Sequence, residues 1–327
     1  MNNYDIFKNL NNQKSICLIS HISPDADALA SMVVLKEFLL QQFNFNSVDI
    51  FAQETDSLDF YKSIIENNDI NIIKKDYDIA IMLDSPNKER LGIYKTFFES
   101  ACFKIVIDHH ATNNFEGDIN IVDFCSSTCE IIYSILSYYN YEISNKNKGK
   151  IYAGIITDTN NFTVGNFNSR TLKIASEIID HVNKDEIYNH FLSNNTPQQM
   201  ELLSQSIQNL KLIENNQIIL SHISSQDIDN IHATQNDCSG IVNKLATISN
   251  SKLVCFIYPV NDIEHYVSLR AKNGYNVSII AKKYGGGGHT GASAFLSTLT
   301  INDIEKLIEE EFKQQLKTFT VSTKSLF

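Results

Sequence analysis

Tryptophan is absent from the sequence, and no apolar run approaches the ~20 residues that a membrane-spanning helix needs. The N-terminal stretch MNNYDIFKNLNNQK is polar and lacks the apolar segment of a secretory signal. We therefore expect a cytoplasmic protein without a membrane partner. Its core can still be large, because 19 Phe and 14 Tyr supply aromatic bulk.

Positive charge is scarce, since 27 Lys and Arg stand against 38 Asp and Glu and give a formal net charge of -11. Proteins that coat long duplex nucleic acid usually present a basic face, so this balance argues against long duplex DNA as a partner. Small anionic ligands remain open, because a few local cations or metal ions are enough to bind them.

Cysteine is sparse as well, with six residues of which only Cys125 and Cys129 lie close together in sequence. No second pair and no nearby histidine completes a zinc site. We therefore predict that the cysteines are buried, reduced thiols.

The length of 327 residues exceeds a typical single domain and predicts two. The first half alternates short apolar runs with helical patterns, which indicates an α/β domain with a mostly parallel sheet and helices on both faces. From Ile218 onward the pattern predicts a smaller α+β domain. The expected boundaries are 1–195 for the first domain, 196–212 for a linker and 213–327 for the second, with the active site in the cleft between domains.

The elements of the first domain are predicted from these runs. The strands expected there are Ser15–Ser20, Ser47–Ala52, Tyr77–Leu83 and Lys104–Ile107, and the helices are Ala28–Phe43, Leu58–Ile65 and Glu130–Tyr139. Ser127 and Glu130 have the spacing of a capping box at the start of the last helix. The preceding segment, Ser126 to Thr128, is expected to cap that helix, and the helix N-terminus is also a candidate phosphate site.

Acidic and imidazole side chains follow apolar stretches in four places. They are His21-Ile-Ser-Pro-Asp25-Ala-Asp27, Asp84, Asp108-His109-His110 and Asp158. The segment that ends at Asp158 fits either a strand or a buried helix. Parallel strands lie ~4.8 Å apart, so their carboxyl ends can direct these side chains into one cleft.

Such a cluster would hold five Asp and three His in a small volume. Without cations the carboxylates would repel one another and raise each other's pKa. Oxygen-rich ligation with some imidazole suits Mn²⁺ or Mg²⁺ better than a thiolate-preferring ion. Two ions ~3.5–4 Å apart are a recurring arrangement for phosphoester hydrolysis.

The four segments, in this order and with a literal Asp-His-His triplet, resemble the motifs of the DHH phosphoesterase superfamily. In the second domain Arg270, followed by the run Gly285-Gly-Gly-Gly-His289, resembles the RNA-binding motif of the DHH-associated C-terminal domain. The resemblance covers about residues 15–320. It is closest to the nanoRNase/pAp phosphatases, which cleave very short RNA and dephosphorylate 3′-phosphoadenosine 5′-phosphate (pAp).

The resemblance implies two divalent ions, expected to be Mn²⁺, with Mg²⁺ or Co²⁺ as alternatives. It places one ion on His21, Asp25 and Asp84, and the other on Asp27, Asp84, His109 and Asp158, so that Asp84 bridges. It also assigns catalytic roles to Asp108, which would orient an imidazole, and His110, which would contact the scissile phosphate. The implied substrate-binding residues are Arg270, Gly285, Gly286, Gly287, Gly288 and His289.

The function implied is hydrolysis of short RNA oligonucleotides to nucleoside 5′-monophosphates and of pAp to AMP. A cyclic-di-AMP or linear dinucleotide (pApA) phosphodiesterase is the alternative. A family II inorganic pyrophosphatase would share the metal motifs but not the Gly285–His289 run, and a nucleotide-sensing protein with a dead centre would have lost a ligand. An exonuclease for long strands would carry further nucleic-acid-binding domains. A homodimer is left open.

The second domain contains a local reversal of charge. Between His265 and Asn302 there is no Asp or Glu, yet Arg270, Lys272, Lys282 and Lys283 are present. We interpret this segment as a surface that binds a phosphate or a base, with a solvated basic face as the alternative. The glycine run lacks Cβ atoms, so its backbone N–H groups can approach a phosphate.

Overall fold

The computed structural model describes residues 3–10, 14–45, 47–52, 76–163, 165–272, 274–288 and 290–324. The chain divides into two compact units, Met1–Asn194 and Asn195–Phe327. In these described ranges, no helix combines the length and the apolar character needed to cross a membrane. The predicted helix Leu58–Ile65 lies outside the described residues.

The first unit is built on a parallel sheet with the strand order β2-β1-β3-β4-β5. Its strands are β1 (Ser15–Ile19), β2 (Ser47–Phe51), β3 (Ile79–Leu83), β4 (Phe103–Asp108) and β5 (Ile119–Val122). Its described helices are α1 (Ile6–Asn9), α2 (Ala26–Phe43), α3 (Lys95–Ser100), α4 (Thr128–Tyr138), α5 (Asn145–Asp158), α6 (Ser169–Ile178) and α7 (Lys184–Leu192).

Side chains of the first sheet alternate between two apolar cores, as a strand period of two requires. In β1, Ile16 and Leu18 pack into the core formed with α2, α4 and α5, whereas Cys17 and Ile19 face the core on the other side. Both faces of the sheet are therefore covered, and the predicted α/β architecture is confirmed.

The second unit contains a six-stranded sheet with the order β10-β11-β9-β8-β7-β6, in which β7 and β8 are parallel and the other pairs antiparallel. Its strands are β6 (Lys211–Ile213), β7 (Ile218–His222), β8 (Leu253–Pro259), β9 (His265–Ala271), β10 (Gly287–Gly288) and β11 (Ala292–Ser297). Its helices are α8 (Pro197–Gln208), α9 (Ser225–Ile231), α10 (Ile241–Leu245), α11 (Val277–Lys283) and α12 (Ile301–Lys324). The smaller α+β domain is thereby confirmed.

The stretch 196–212, predicted as a linker, contains α8 and part of β6 within the second unit. Thr196 and Gln199 form a capping box around Pro197, so local sequence specifies the start of α8.

All six cysteines are free thiols, and five of them are buried as predicted. Cys102 differs, because it is exposed in the turn between α3 and β4. The prediction of burial was therefore wrong at that position.

Candidate metal centre

Three parallel strands of the first sheet end beside one another and carry predicted site residues. His21 lies just beyond β1, Asp84 directly follows β3, and Asp108 is the last residue of β4. Because β1, β3 and β4 are neighbours and parallel, their carboxyl ends share one edge of the sheet. This edge is where ligands bind in open α/β sheets.

Two helices complete the site at this edge. Asp25 is the N-cap of α2, and its carboxylate accepts hydrogen bonds of 3.1 Å from the amides of Asp27 and Ala28. Asp158 is the last residue of α5, so the segment compatible with a strand or a helix is a helix. Gly154 allows α5 to pack closely against Asp27 and Cys129, because a Cβ there would lie 2.7 Å from Asp27 Oδ1 and 2.5 Å from Cys129 Sγ.

The structure brings all six predicted metal ligands together with His110. Their donor atoms form three groups, each with all atoms within 4.8 Å of one another: His21, Asp25 and Asp84; Asp27, His109 and Asp158; and Asp84, His109 and His110. His109 Nε2 lies 3.1 Å from Asp158 Oδ2 and 3.4 Å from Asp84 Oδ1. His21 Nε2 lies 3.7 Å from Asp84 Oδ2, so Asp84 stands between two sets of donors.

Backbone carbonyls fix the orientation of two imidazoles. His21 Nδ1 lies 2.8 Å from the carbonyl of Ile22, and His109 Nδ1 lies 3.3 Å from the carbonyl of Cys125. A carbonyl only accepts, so each Nδ1 carries the proton in these contacts. The Nε2 atoms therefore face the carboxylates, the orientation found in histidines whose Nε2 binds a metal.

Asp84 adopts an unusual backbone conformation. Its φ of 52° lies in the left-handed region, which non-glycine residues rarely occupy. The Asp84 amide donates to the carbonyl of Ile107 over 3.0 Å, and the Thr128 hydroxyl donates to Asp84 Oδ1 over 3.0 Å. Strained backbone of this kind concentrates at functional sites, and here it directs the carboxylate into the cluster.

The backbone amides at the start of α4 bind the carboxylate of Asp27. The amides of Thr128 and Cys129 donate to the two oxygens of the Asp27 carboxylate over 2.6 and 2.8 Å. The helix N-terminus that we considered for phosphate is therefore occupied by the protein's own carboxylate. The Ser127 hydroxyl caps the helix as predicted, but Glu130 does not complete the capping box, because its carboxylate accepts from Ser126 instead.

The pKa values of the clustered side chains are those expected where carboxylates crowd together without a cation. Burial, together with repulsion from Asp84 and Asp158, raises the pKa of Asp25 to about 6 and holds that of Asp27 well above its ordinary value. Burial opposes protonation of His21, but its hydrogen bond to Asp84 raises its pKa to about 9. The carboxylates thus draw in protons where no other cation neutralises them, and an Asp-rich set with imidazole nitrogens fits divalent Mn²⁺ or Mg²⁺.

His110 and Asp108 form a separate hydrogen-bonded pair beside the cluster. His110 Nδ1 lies 2.7 Å from Asp108 Oδ1, and Asn113 Nδ2 donates to Asp108 Oδ2 over 2.6 Å. Asp108 is fully buried and contacts His110 rather than the other imidazoles. Asn113 was not identified from the sequence; an amide five residues after an Asp has no pattern that distinguishes it.

The predicted substrate-binding residues lie in the second unit, except that His289 is outside the described residues. The Arg270 guanidinium donates to Asn243 Oδ1 over 2.7 Å and to the carbonyl of Leu269 over 2.9 Å. Burial holds its pKa below the ordinary value.

Part of the glycine run forms a β-strand rather than a flexible turn. Gly287 and Gly288 form β10, which pairs with β11, and a Cβ at Gly286 would collide with the carbonyl of Ala294. The cationic segment is less open than its sequence indicates, because Lys272 donates to Ser251 Oγ over 3.0 Å and Lys283 pairs with Glu311 over 2.5 Å.

Comparison with known proteins identifies two domain families in this chain. Residues 15–158 match the DHH family, N-terminal domain, and residues 205–318 match the DHHA1 domain. The chain is 27% identical over 319 residues to the bifunctional oligoribonuclease and PAP phosphatase NrnA of Bacillus subtilis, covering 94% of this chain and 98% of that protein. It is 26% identical over 322 residues to the cyclic-di-AMP phosphodiesterase GdpP of Geobacillus thermodenitrificans, covering 90% of this chain and 46% of that protein.

A solved structure extends the similarity to three dimensions. An exopolyphosphatase-related protein from Bacteroides fragilis superposes with a TM-score of 0.84 at 25% sequence identity, over 95% of this chain and 96% of the other. The two domain matches follow each other in the order of the two compact units. The chain therefore belongs to the DHH family, with a DHHA1 domain after its N-terminal DHH domain.

Proposed function

We propose that this protein is a metal-dependent phosphoesterase that hydrolyses very short RNA to nucleoside 5′-monophosphates and dephosphorylates pAp to AMP. The observation that carries the proposal is the position of Asp84 between two sets of donors, on a chain that is similar over 94% of its length to an oligoribonuclease and PAP phosphatase. Long duplex DNA is not a proposed substrate, because the net charge of -11 opposes it.

In the proposal the six ligand residues form two ion sites that share Asp84. One ion would bind to His21, Asp25 and Asp84, and the other to Asp27, Asp84, His109 and Asp158. We propose Mn²⁺ for both, with Mg²⁺ or Co²⁺ as alternatives, because the donor set mixes carboxylate oxygens with imidazole nitrogens. When bound, divalent ions neutralise phosphoryl oxygens and lower the pKa of water.

The chain's own residues provide the remaining chemistry in this proposal. His110 Nδ1 donates a hydrogen bond to Asp108, so Nε2 is the atom that we assign to the scissile phosphate. Buried Asp108, held by Asn113, keeps that imidazole oriented. With a proton on Nε2 as well, His110 can donate a hydrogen bond to a phosphate oxygen as negative charge grows there.

The second unit is proposed to bind the part of the substrate away from the scissile phosphate, through Arg270 and the segment Gly285–His289. Arg270 is anchored by Asn243, which directs its guanidinium without neutralising its charge. Because Lys272 and Lys283 are engaged by the protein's own groups, the described part of this segment offers few cations for phosphates. A short substrate needs few such contacts, whereas a long strand needs a longer cationic surface.

The proposal is tested by product analysis with purified, Mn²⁺-loaded protein. The substrates are a labelled RNA dinucleotide, a 24-mer RNA and pAp, each at equal concentration. We expect rapid release of mononucleotides from the dinucleotide and of phosphate from pAp, with slow attack on the 24-mer. Asp84→Ala should be inactive, whereas Asp180→Asn, a control at an exposed aspartate of the same unit, should retain activity. Equal kcat/KM for the dinucleotide and the 24-mer would contradict the length preference.

A cyclic-di-AMP or pApA phosphodiesterase is the second candidate, favoured by the similarity to the cyclic-di-AMP phosphodiesterase over 90% of this chain. This chain spans less than half of that protein, so the similarity concerns a part of it. Adding cyclic-di-AMP to the same assay separates the candidates. Ring opening faster than dinucleotide cleavage would favour the second candidate.

A further inference from the structure

One segment, 123–130, supplies hydrogen-bond partners to three of the proposed metal ligands. The carbonyl of Cys125 faces His109 Nδ1, and the amides of Thr128 and Cys129 bind Asp27. The Thr128 hydroxyl also donates to Asp84, as described above. We call this stretch the support segment.

The support segment contacts the two proposed ion sites unequally. Among the hydrogen bonds described, three go to Asp27 and His109, which belong to one ion site, and one goes to Asp84, which both sites share. Within the described part of the chain, none joins the support segment to His21 or Asp25. A displacement of this segment would therefore disturb one ion's ligands more than the other's.

Glu130 anchors the support segment from inside the protein. Its carboxylate is fully buried and accepts hydrogen bonds from the Ser126 hydroxyl (2.5 Å), the Thr171 hydroxyl (2.7 Å) and Arg170 Nε (2.5 Å). Burial favours the neutral acid, but these donors hold the pKa of Glu130 below its ordinary value. The charged carboxylate thus depends on its partners for stability.

Arg170 connects the two ends of the support segment. Its Nε binds Glu130, and its Nη2 lies 2.7 Å from Asp123 Oδ2. Arg170 stands in the first turn of α6, the helix that follows Asp158 along the chain. A planar guanidinium can hold two carboxylates in a fixed geometry, which an ammonium group cannot do.

We propose that Glu130 and Arg170 are positioning residues that hold the support segment, and thereby set the affinity of the ion bound by Asp27, His109 and Asp158. The inference rests on the two-ion centre of the proposed function. Neither residue belongs to the three donor groups, and both act through the segment between them. Partners of metal ligands typically change metal affinity by about 10–100-fold when they are lost.

The test measures Mn²⁺ binding directly, by titrating metal-free protein and recording free Mn²⁺ by electron paramagnetic resonance. Arg170→Gln is the main variant, because Arg170 is 43% exposed and Ser126 and Thr171 still donate to Glu130 when Arg170 is lost. Arg170→Lys keeps the charge without the fork. Tyr133→Phe is the matched control, because it removes a 2.6 Å hydrogen bond to Glu177 that joins the same two helices, α4 and α6.

Two backgrounds assign the effect to one ion. His21→Ala leaves the ion of interest as the tighter site, and Asp158→Asn leaves the other. We expect Arg170→Gln to weaken Mn²⁺ binding by about 10–100-fold in the first background and less than about threefold in the second. Arg170→Lys should recover part of the loss, and Tyr133→Phe should bind as the wild type does.

Three outcomes separate the possibilities. Equal weakening in both backgrounds, or the same weakening by Tyr133→Phe, would overturn the inference, because it would reveal general loosening of the helices. Wild-type binding of two ions with no effect of Arg170→Gln would also overturn it while leaving the proposed function in place. Failure of the wild-type protein to bind Mn²⁺ would instead reject the metal-dependent function, and the inference with it.

Discussion

Replacing Gly154 with alanine should separate the cost of crowding the metal centre from the general effect of alanine in a helix. The new Cβ would lie 2.5 Å from Cys129 Sγ and 2.7 Å from Asp27 Oδ1, both closer than van der Waals contact. Gly149 lies in the same helix, and there a Cβ would meet nothing nearer than Ile187 at 3.8 Å. Gly149→Ala is therefore a matched control.

The expected difference follows from two terms. Alanine is favoured over glycine in a helix interior by about 1 kcal/mol, and this gain applies to both variants and cancels in the comparison. Overpacking costs about 1–3 kcal/mol and applies only to Gly154→Ala. Gly154→Ala should thus be less stable than Gly149→Ala by about 1–3 kcal/mol, or roughly 2–12 °C in Tm for a unit of this size.

Thermal unfolding followed by circular dichroism measures the stability difference, and Mn²⁺ titration measures its effect on the centre. Because the Asp27 carboxylate must move, Gly154→Ala should also bind Mn²⁺ more weakly than Gly149→Ala does. Equal Tm values and equal Mn²⁺ affinities for the two variants would refute the argument that α5 needs a glycine to approach Asp27.

Three further predictions concern histidines, a buried lysine and the glycine run. His109→Ala should lose bound Mn²⁺, whereas His110→Ala should keep it and lose turnover; equal metal loss by elemental analysis would contradict this assignment. Burial, with repulsion from a neighbouring lysine, lowers the pKa of Lys150 from 10.5 to about 8. Between these two pKa values Lys150 is protonated in the unfolded chain but not in the folded protein, so the free energy of unfolding should rise with pH by on the order of 2 kcal/mol relative to Lys150→Met. The same pH dependence of stability for both proteins in urea denaturation would contradict this prediction. Gly286→Ala should lower Tm through its collision with β11, whereas Gly287→Ala, where a Cβ meets nothing within 4 Å, should not; equal Tm values would argue against a built strand.

Much of the fold could be predicted because local patterns and tertiary structure agree. The runs Ser15–Ser20 and Ser47–Ala52 predict β1 and β2 within one residue. The sequence did not decide whether the segment before Asp158 is a strand or a helix, because a short apolar run is compatible with both. Its packing against α2 selects the helix, and that contact joins residues far apart in sequence.

The sequence predicted the residues of the cluster but not their hydrogen-bond partners. Short sequence motifs predicted which acidic and imidazole residues lie together in the cluster, since residue type carries their chemistry. The partners of those donors depend on three-dimensional contacts: the Thr128 amide meets Asp27 across 101 positions of sequence, and Arg170 meets Glu130 across 40. Backbone donors leave no trace in residue identity, so a sequence pattern could not assign them.

Counting the ions that turnover requires is the most direct test of a centre built around Asp84. Metal-free protein would receive Mn²⁺ in steps, with bound metal and hydrolysis of an RNA dinucleotide recorded at each step. We predict that hydrolysis appears as the second ion binds, and that Asp84→Ala binds fewer ions and stays inactive at every step. Full hydrolysis by metal-free protein, or by Asp84→Ala, would contradict the central claim.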